Sequence, residues 1–366
     1  MRRTNTFKMV SILVMVMILA VSVIGCAQKA EPAPAPGPDT SKETEIPEVK
    51  LTYAALDTPP QTYALVDLAF IDHIKEVSKG KITFDYYPGG TLISGSEAAA
   101  EIADGVADFG WPRPGYSKNG FKLYNASMIW MYNLNPIEDV KAEIEIFKKM
   151  CEQPQVKKEL AGLMPYGVNA GGTEAYLFMT KPFTKLSDIK GKTIRATGAW
   201  ADVVKGLGGV PITIPMSETY LALEKGTVDG TLGLDATVLK AQNFADVMKT
   251  GMPLGINMAP YHSWAFNADK WNSLPQPIKD IFLAEEAWLE AKVIEQLQSE
   301  LEPAIQHGTD KGVQYVKITD EDLQTLYTVM DQVCREQTKK LDETGLEATK
   351  TFEYVQGLVK EYKSKK

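Results

Sequence analysis

Two stretches of the chain share one pattern: SEAAAEIADGVADFGW at residues 96–111 and SETYLALEKGTVDGTL at residues 217–232. At a constant offset of 121 residues, Ser96, Glu97, Gly105 and Asp108 fall on Ser217, Glu218, Gly226 and Asp229. In each stretch apolar residues recur at helical spacing, Ala99, Ile102 and Ala103 in one and Tyr220, Leu221 and Leu223 in the other. A glycine then stops the helix, and a valine and an aspartate lead into an apolar strand. The spacing predicts Ser96 and Ser217 as helix caps, with strands before them at KITFDYY (81–87) and VPITIP (210–215). Both units therefore read as strand, helix, strand; four matched positions could arise by chance, and the matching predicted structure around them favours a duplicated motif of the kind that builds parallel or mixed sheets covered by helices. The expected fold class is α/β, with two similar lobes and a cleft between them.

The first residues belong to something else. Arg2, Arg3 and Lys8 precede an apolar run from Met9 to Val23, which ends in VIGC at Cys26. That run is about 15 residues, short of the roughly 20 that span a bilayer, and it closes on small residues as a cleaved export signal does. Residues 1–25 are read as a signal peptide and Cys26 as the lipidated first residue of the mature chain, because VIGC resembles a bacterial lipobox. Residues 26–48 carry Pro and Ala and few apolar side chains to bury, the composition of an extended tether. The protein is expected outside the cytoplasm, held to the membrane by lipid.

The body from about residue 49 is long enough for two lobes. With the three basic residues of the leader set aside, 36 Lys and Arg face 47 Asp and Glu, a net charge of −11. That balance argues against nucleic acid or an anionic membrane surface as partner. Cys151 and Cys334 lie on predicted helices, and their spacing leaves a disulfide and two buried thiols equally open. Residues 275–307 read as one helix, with Ile278, Phe282, Leu283, Leu289, Val293 and Leu297 on its apolar face and Pro303 bending or ending it. At ~1.5 Å per residue it extends about 40 Å, enough to cross both lobes. Thr319 caps a last helix.

Chemistry is sparse. His73 sits within a helix, His262 starts a strand and His307 nears a helix end; none is spaced as a metal pair. Ser117 lies between glycines without the strand–turn–helix context of a nucleophile elbow. LGG at 207–209 and PGG at 88–90 lack the further glycines or lysine of a phosphate loop. No catalytic, metal or cofactor constellation is found, which favours binding over catalysis.

Against that background LSDIKGKTIRATG, residues 186–198, resembles the D-L-K-G-x-K-I-R segment of the solute-binding proteins of tripartite ATP-independent periplasmic (TRAP) transporters, the DctP family. GKITFDYYPGGTLISGSEAAAEIADGVADF is similar to that family's first-lobe unit. GGVPITIPMSETYLALEKGTVDG, QNFADV and NADKWNSLP follow in the family's order. The resemblance implies a type II periplasmic-binding-protein fold with a hinge and a long helix crossing both lobes. Lobe I is expected at 49–171 plus about 261–300, and lobe II at 172–260 plus about 301–366. It also implies a monomeric receptor, without enzymatic activity or cofactor, that closes over a small organic anion and hands it to a membrane permease.

By the same resemblance Arg195 pairs with the ligand carboxylate, and a planar guanidinium suits that task. Strand ends in open α/β sheets are where ligands bind, which brings in Trp111, Arg113, Met216 and Asp235. Arg113 is a second anion contact or a surface salt bridge. Trp111 and Trp200 are pocket walls or lobe packing; His262 completes the set. Glu174 stands in GGTEAYLF where sialic-acid binders of the family carry an arginine, and TLGLD lacks the polar pair many members have after VDG. Both departures favour a monocarboxylate with an apolar or hydroxylated body, with Glu174 or Asp235 accepting from hydroxyl groups. The alternatives of another class are an exported hydrolase using Ser117 or a carboxylate pair, and a module presenting ligand to a sensor.

Overall fold

The computed structural model describes residues 46–366 except 118–119, 171–172 and 258–260, and for Tyr261, His262 and Ser263 the backbone alone. The signal peptide, Cys26 and nearly all of the tether lie outside the described residues. In chain order the elements are β1 (Val49–Ala54), α1 (Thr62–Val77), β2 (Ile82–Tyr87), α2 (Ala98–Ala103), β3 (Phe109–Gly110), α3 (Lys122–Ser127), α4 (Val140–Cys151), α5 (Pro154–Glu159), β4 (Leu163–Asn169) and β5 (Glu174–Met179). There follow β6 (Thr193–Arg195), α6 (Ala199–Gly206), β7 (Val210–Ile212), α7 (Met216–Glu224), β8 (Gly230–Leu234), α8 (Val238–Ala241), β9 (Thr250–Asn257) and β10 (Tyr261–Asn267). Helices α9 (Ala268–Ser273), α10 (Gln276–Asp310), α11 (Asp320–Asp342) and α12 (Ala348–Lys365) close the chain, with β11 (Gln314–Tyr315) between α10 and α11.

The strands form two sheets of matching topology, β2-β1-β3-β10-β4 and β7-β6-β8-β5-β9 with β11 added at the far edge. In both, the first three strands run parallel and the fourth is antiparallel to the third. The chain crosses from the first sheet to the second between β4 and β5 and returns between β9 and β10. The repeat explains this symmetry. Asp108 Oδ2 accepts from the Thr52 amide at 2.8 Å and Asp229 Oδ2 from the Thr193 amide at 2.9 Å. Gly105 (φ 83°) and Gly226 (φ 69°) take the left-handed conformation that ends each helix.

Three expectations need correction. Ser96 and Ser217 are not caps: α2 begins after Glu97, and α7 begins at Met216 after Pro215, so Ser217 is already inside it. Pro303 does not end α10, which runs 35 residues, about 52 Å at ~1.5 Å per residue. Ser299 and Pro303 both face solvent, where water satisfies the carbonyl that the missing N–H leaves free. Leu283 is half exposed rather than buried; the apolar seam of α10 runs through Ile278, Phe282, Leu289, Val293 and Leu297.

Helix α10 touches α1 and β4 in one half and α8 in the other. Helices α3 to α5 share a core with the second sheet and with α11 and α12, so that the segment 121–160 spans between the halves. Cys151 and Cys334 are free, buried thiols. Thr319 caps α11, accepting from the Asp322 amide at 3.1 Å. Among the described residues no helix is long and apolar enough to cross a membrane.

Candidate functional site

Strand β6 lies between β7 and β8, parallel to both, and Arg195 is its last residue. The side chain is 1 % exposed. Its Nε and Nη2 donate to the Ile214 carbonyl at 3.3 and 3.2 Å. Among the described residues no carboxylate lies within ion-pair distance of it. A guanidinium has five N–H donors and no acceptor, and here one neutral carbonyl accepts from two of them, an arrangement whose remaining donors suit an anion.

The turn after Arg195 is tightly drawn. Thr213 Oγ1 donates to the Ala196 carbonyl at 2.9 Å, and Gly198 adopts φ 55°, ψ −139°, a region that glycine alone enters easily. A Cβ on Gly198 would meet the Met128 sulfur at 3.9 Å, which brings the 121–134 segment against this turn. Trp200 is 4 % exposed and lies on the backbone of β8: a Cβ on Gly233 would fall 2.7 to 2.8 Å from its indole ring.

In the other sheet, just beyond the carboxyl ends of β1 and β3, stand Asp57, Trp111 and Arg113. Arg113 Nη2 is 3.7 Å from Asp57 Oδ2. Its guanidinium lies 4.3 Å over the Trp111 ring and 5.4 Å from the Tyr63 ring. Tyr63 in turn accepts from Asn169 Nδ2 at 2.7 Å, on the strand that crosses to the second sheet. Trp111 is fully buried, edge-on to Tyr63 and Trp264, and its Nε1 donates to Asp67 Oδ1 at 3.1 Å.

Asp67 escaped the sequence reading. It sits on the apolar face of α1 and accepts from Tyr53, from Tyr86 at 3.0 Å, from Trp111 and from Trp264 Nε1 at 2.9 Å. Burial pushes its carboxyl up to about 7, against these four donors, which favour the charged form. An acid at a helical core position in TYALVDLAFIDHI was the available signal.

The other expected residues scatter. Asp235, at the end of β8, is buried, and burial raises its carboxyl; its Oδ1 accepts from both the amide at 2.8 Å and the hydroxyl of Thr237, and Oδ2 from Thr173 at 3.5 Å. Glu174 Oε2 accepts from the Gly255 amide at 2.9 Å, where the β5–β9 register shifts. Met216 opens α7 and packs in the core under β7 and β8. His262 pairs through its backbone with Val168 on β4; its side chain lies outside the described residues. Of the set, Arg195 and Trp200 gather on one side and Arg113 and Trp111 on the other.

A second unforeseen acid marks the crossing strands. Asn257, last in β9, donates to the Ala170 carbonyl and to Glu143 on α4. Glu143 is 1 % exposed, and burial with Asp139 nearby pushes it up to about 8. His73 is structural: its Nε2 lies 2.7 Å from Glu285 and its ring stacks on Trp288 at 3.9 Å. The Ser117 amide closes a turn on the Pro114 carbonyl at 3.1 Å. Among the described residues no three His, Cys, Asp or Glu side chains group to hold a metal ion.

The family model for bacterial extracellular solute-binding protein, family 7 (DctP), matches residues 53–341. Solved structures are similar over nearly their whole length. A marine metagenome TRAP solute-binding protein in complex with 3-hydroxybenzoate is 18 % identical with a TM-score of 0.75, covering 86 % of this chain and 99 % of that one. One from Rhodoferax ferrireducens with copurified benzoate is 18 % identical at TM-score 0.74, with the same coverage. One from Shewanella oneidensis with bound succinate is 15 % identical at TM-score 0.68, covering 85 % and 99 %. At such identities the likeness establishes the two-lobed fold.

Proposed function

We propose a function that proceeds from family membership, since the chain belongs to family 7 of the bacterial extracellular solute-binding proteins. It is a binding protein of that extracytoplasmic class rather than an enzyme. Its ligand is a small organic acid with one carboxylate, gripped by Arg195 as the lobes close, and it is delivered to the membrane subunits of a TRAP transporter. The observation that carries this reading is the burial of Arg195 with the Ile214 carbonyl as its partner. Closure strips water from a guanidinium–carboxylate pair and strengthens it.

The body of the acid is compact and apolar or hydroxylated. Trp200 against Gly233 supplies an apolar wall beside Arg195, and in the other sheet Arg113 lies over the fully buried Trp111. The benzoate and 3-hydroxybenzoate of two similar structures have this form; the succinate of a third is the competing case. Lipidation at Cys26 and the tether at 26–48 hold the receptor, a monomer, at the outer face of the membrane.

A thermal-shift screen over mono- and dicarboxylates tests the class, since ligand that binds only the folded state raises the midpoint by mass action. A monocarboxylate that stabilises the wild type and leaves Arg195→Ala unmoved supports the reading. Equal stabilisation of both proteins contradicts it.

A further inference from the structure

Two guanidinium groups stand at carboxyl strand ends, Arg195 in one sheet and Arg113 in the other, and one of them is paired with a carboxylate. Strands β1 and β3 are parallel neighbours, so Asp57 and Arg113 leave the first sheet at the same end, 3.7 Å apart. Their side chains are 24 % and 18 % exposed, shielded enough for the charges to act at more than surface strength. Rings hold Arg113 in place, Trp111 at 4.3 Å and Tyr63 at 5.4 Å. The Asp57 carbonyl accepts from the Gly89 amide at 3.1 Å, which fixes the acid's backbone beside β2. On the opposite side Arg195 has a carbonyl where Arg113 has a carboxylate.

We propose that Asp57 sets the charge the receptor accepts: by pairing with Arg113 it cancels the second cation and makes the site select acids with one carboxylate over acids with two. The inference rests on the Arg195 anchor described above. With Arg113 matched by Asp57, Arg195 is the cation left to pair with the ligand, and one carboxylate neutralises it. A second carboxylate would meet Asp57 itself. It would also meet the field of Asp235, buried at the end of β8, and of Glu300, which accepts from Thr62 at the head of α1. Asp57 acts through Arg113 and is a positioning residue for charge.

The test uses two matched pairs of acids, 3-hydroxybenzoate with isophthalate and butyrate with succinate, titrated calorimetrically into the full mature protein. The wild type is expected to favour the monocarboxylate of at least one pair by tenfold or more. Asp57→Asn should shrink that ratio at least tenfold by gaining affinity for the dicarboxylate, and Asp57→Glu should keep the wild-type ratio. Asp57→Asn combined with Arg113→Met should lose the gain. Asp57→Ser is read in parallel, so a folding defect in one variant leaves the other. An unchanged ratio in folded Asp57→Asn and Asp57→Ser, with binding still lost in Arg195→Ala, overturns the role of Asp57 alone. Binding that survives Arg195→Ala, or no binding of any of the four acids by the wild type, overturns the anchor reading and this role with it.

Discussion

Arg195 stands at the position that Ala54 holds in the other half of the molecule. Ala54 ends β1 and lies opposite Gly110, two residues past Asp108; Arg195 ends β6 and lies opposite Thr231, two residues past Asp229. The duplicated frame is thus used twice, once to close a tight strand pair and once to aim a cation. A Cβ on Gly110 would come 2.5 Å from the Ala54 carbonyl, so the first half needs glycine where the second has Thr231.

The shared part of the frame should show in stability. Asp108→Ala and Asp229→Ala each leave a strand amide, Thr52 or Thr193, without its acceptor. An unsatisfied, partly buried amide costs about 1–3 kcal/mol. Urea denaturation should find both variants destabilised by similar amounts, and a large loss in one with none in the other would refute the equivalence.

Trp200 depends on the bareness of Gly233. An added methyl would meet the indole at 2.7–2.8 Å on a backbone with φ 83°. Gly233→Ala should destabilise by about 1–3 kcal/mol and shift indole fluorescence. Gly226→Ala, where φ is 69° and the added methyl meets open space, isolates the backbone strain. Equal losses in the two variants would mean that Trp200 does not press on β8.

Glu143 gives the stability a pH dependence of known sign. Its carboxyl titrates at about 8 when folded, against an ordinary value of 4.5. Between those values the native state holds a proton that the unfolded chain has released, so this contribution is full below about pH 4.5 and fades as pH rises through 8. The limit is about 5 kcal/mol at 1.36 kcal/mol per unit. Glu143→Gln keeps an uncharged partner for Asn257, and its melting temperature relative to wild type should therefore rise from pH 5 to pH 9. A constant difference across that range would count against a buried neutral acid at the crossing strands.

What the sequence disclosed, it disclosed where the cause is local. Gly105 and Gly226 were legible because a left-handed helix stop suits glycine, and Thr319 because its cap lies three residues from the amide it serves. Ser96 and Ser217 misled because serine is a good cap wherever a helix begins, yet α7 starts one residue earlier, directly after a proline already at φ −56°. The partners of Asp67 and Glu143 were not legible, since their donors lie 14 to 197 and 114 residues away. Arg195 was singled out by the segment that carries it, whereas the pairing of Arg113 with Asp57 across 56 positions of chain needed the sheet.

Calorimetric titration of Arg195→Ala beside the wild type, with the monocarboxylate that most stabilises the wild type, tests the central claim. Losing a buried charge-assisted pair costs ~2–5 kcal/mol, so affinity should fall at least about thirtyfold, and Arg195→Lys should recover part of it as a single-point contact. Affinity within a factor of three of the wild type in Arg195→Ala would contradict the account.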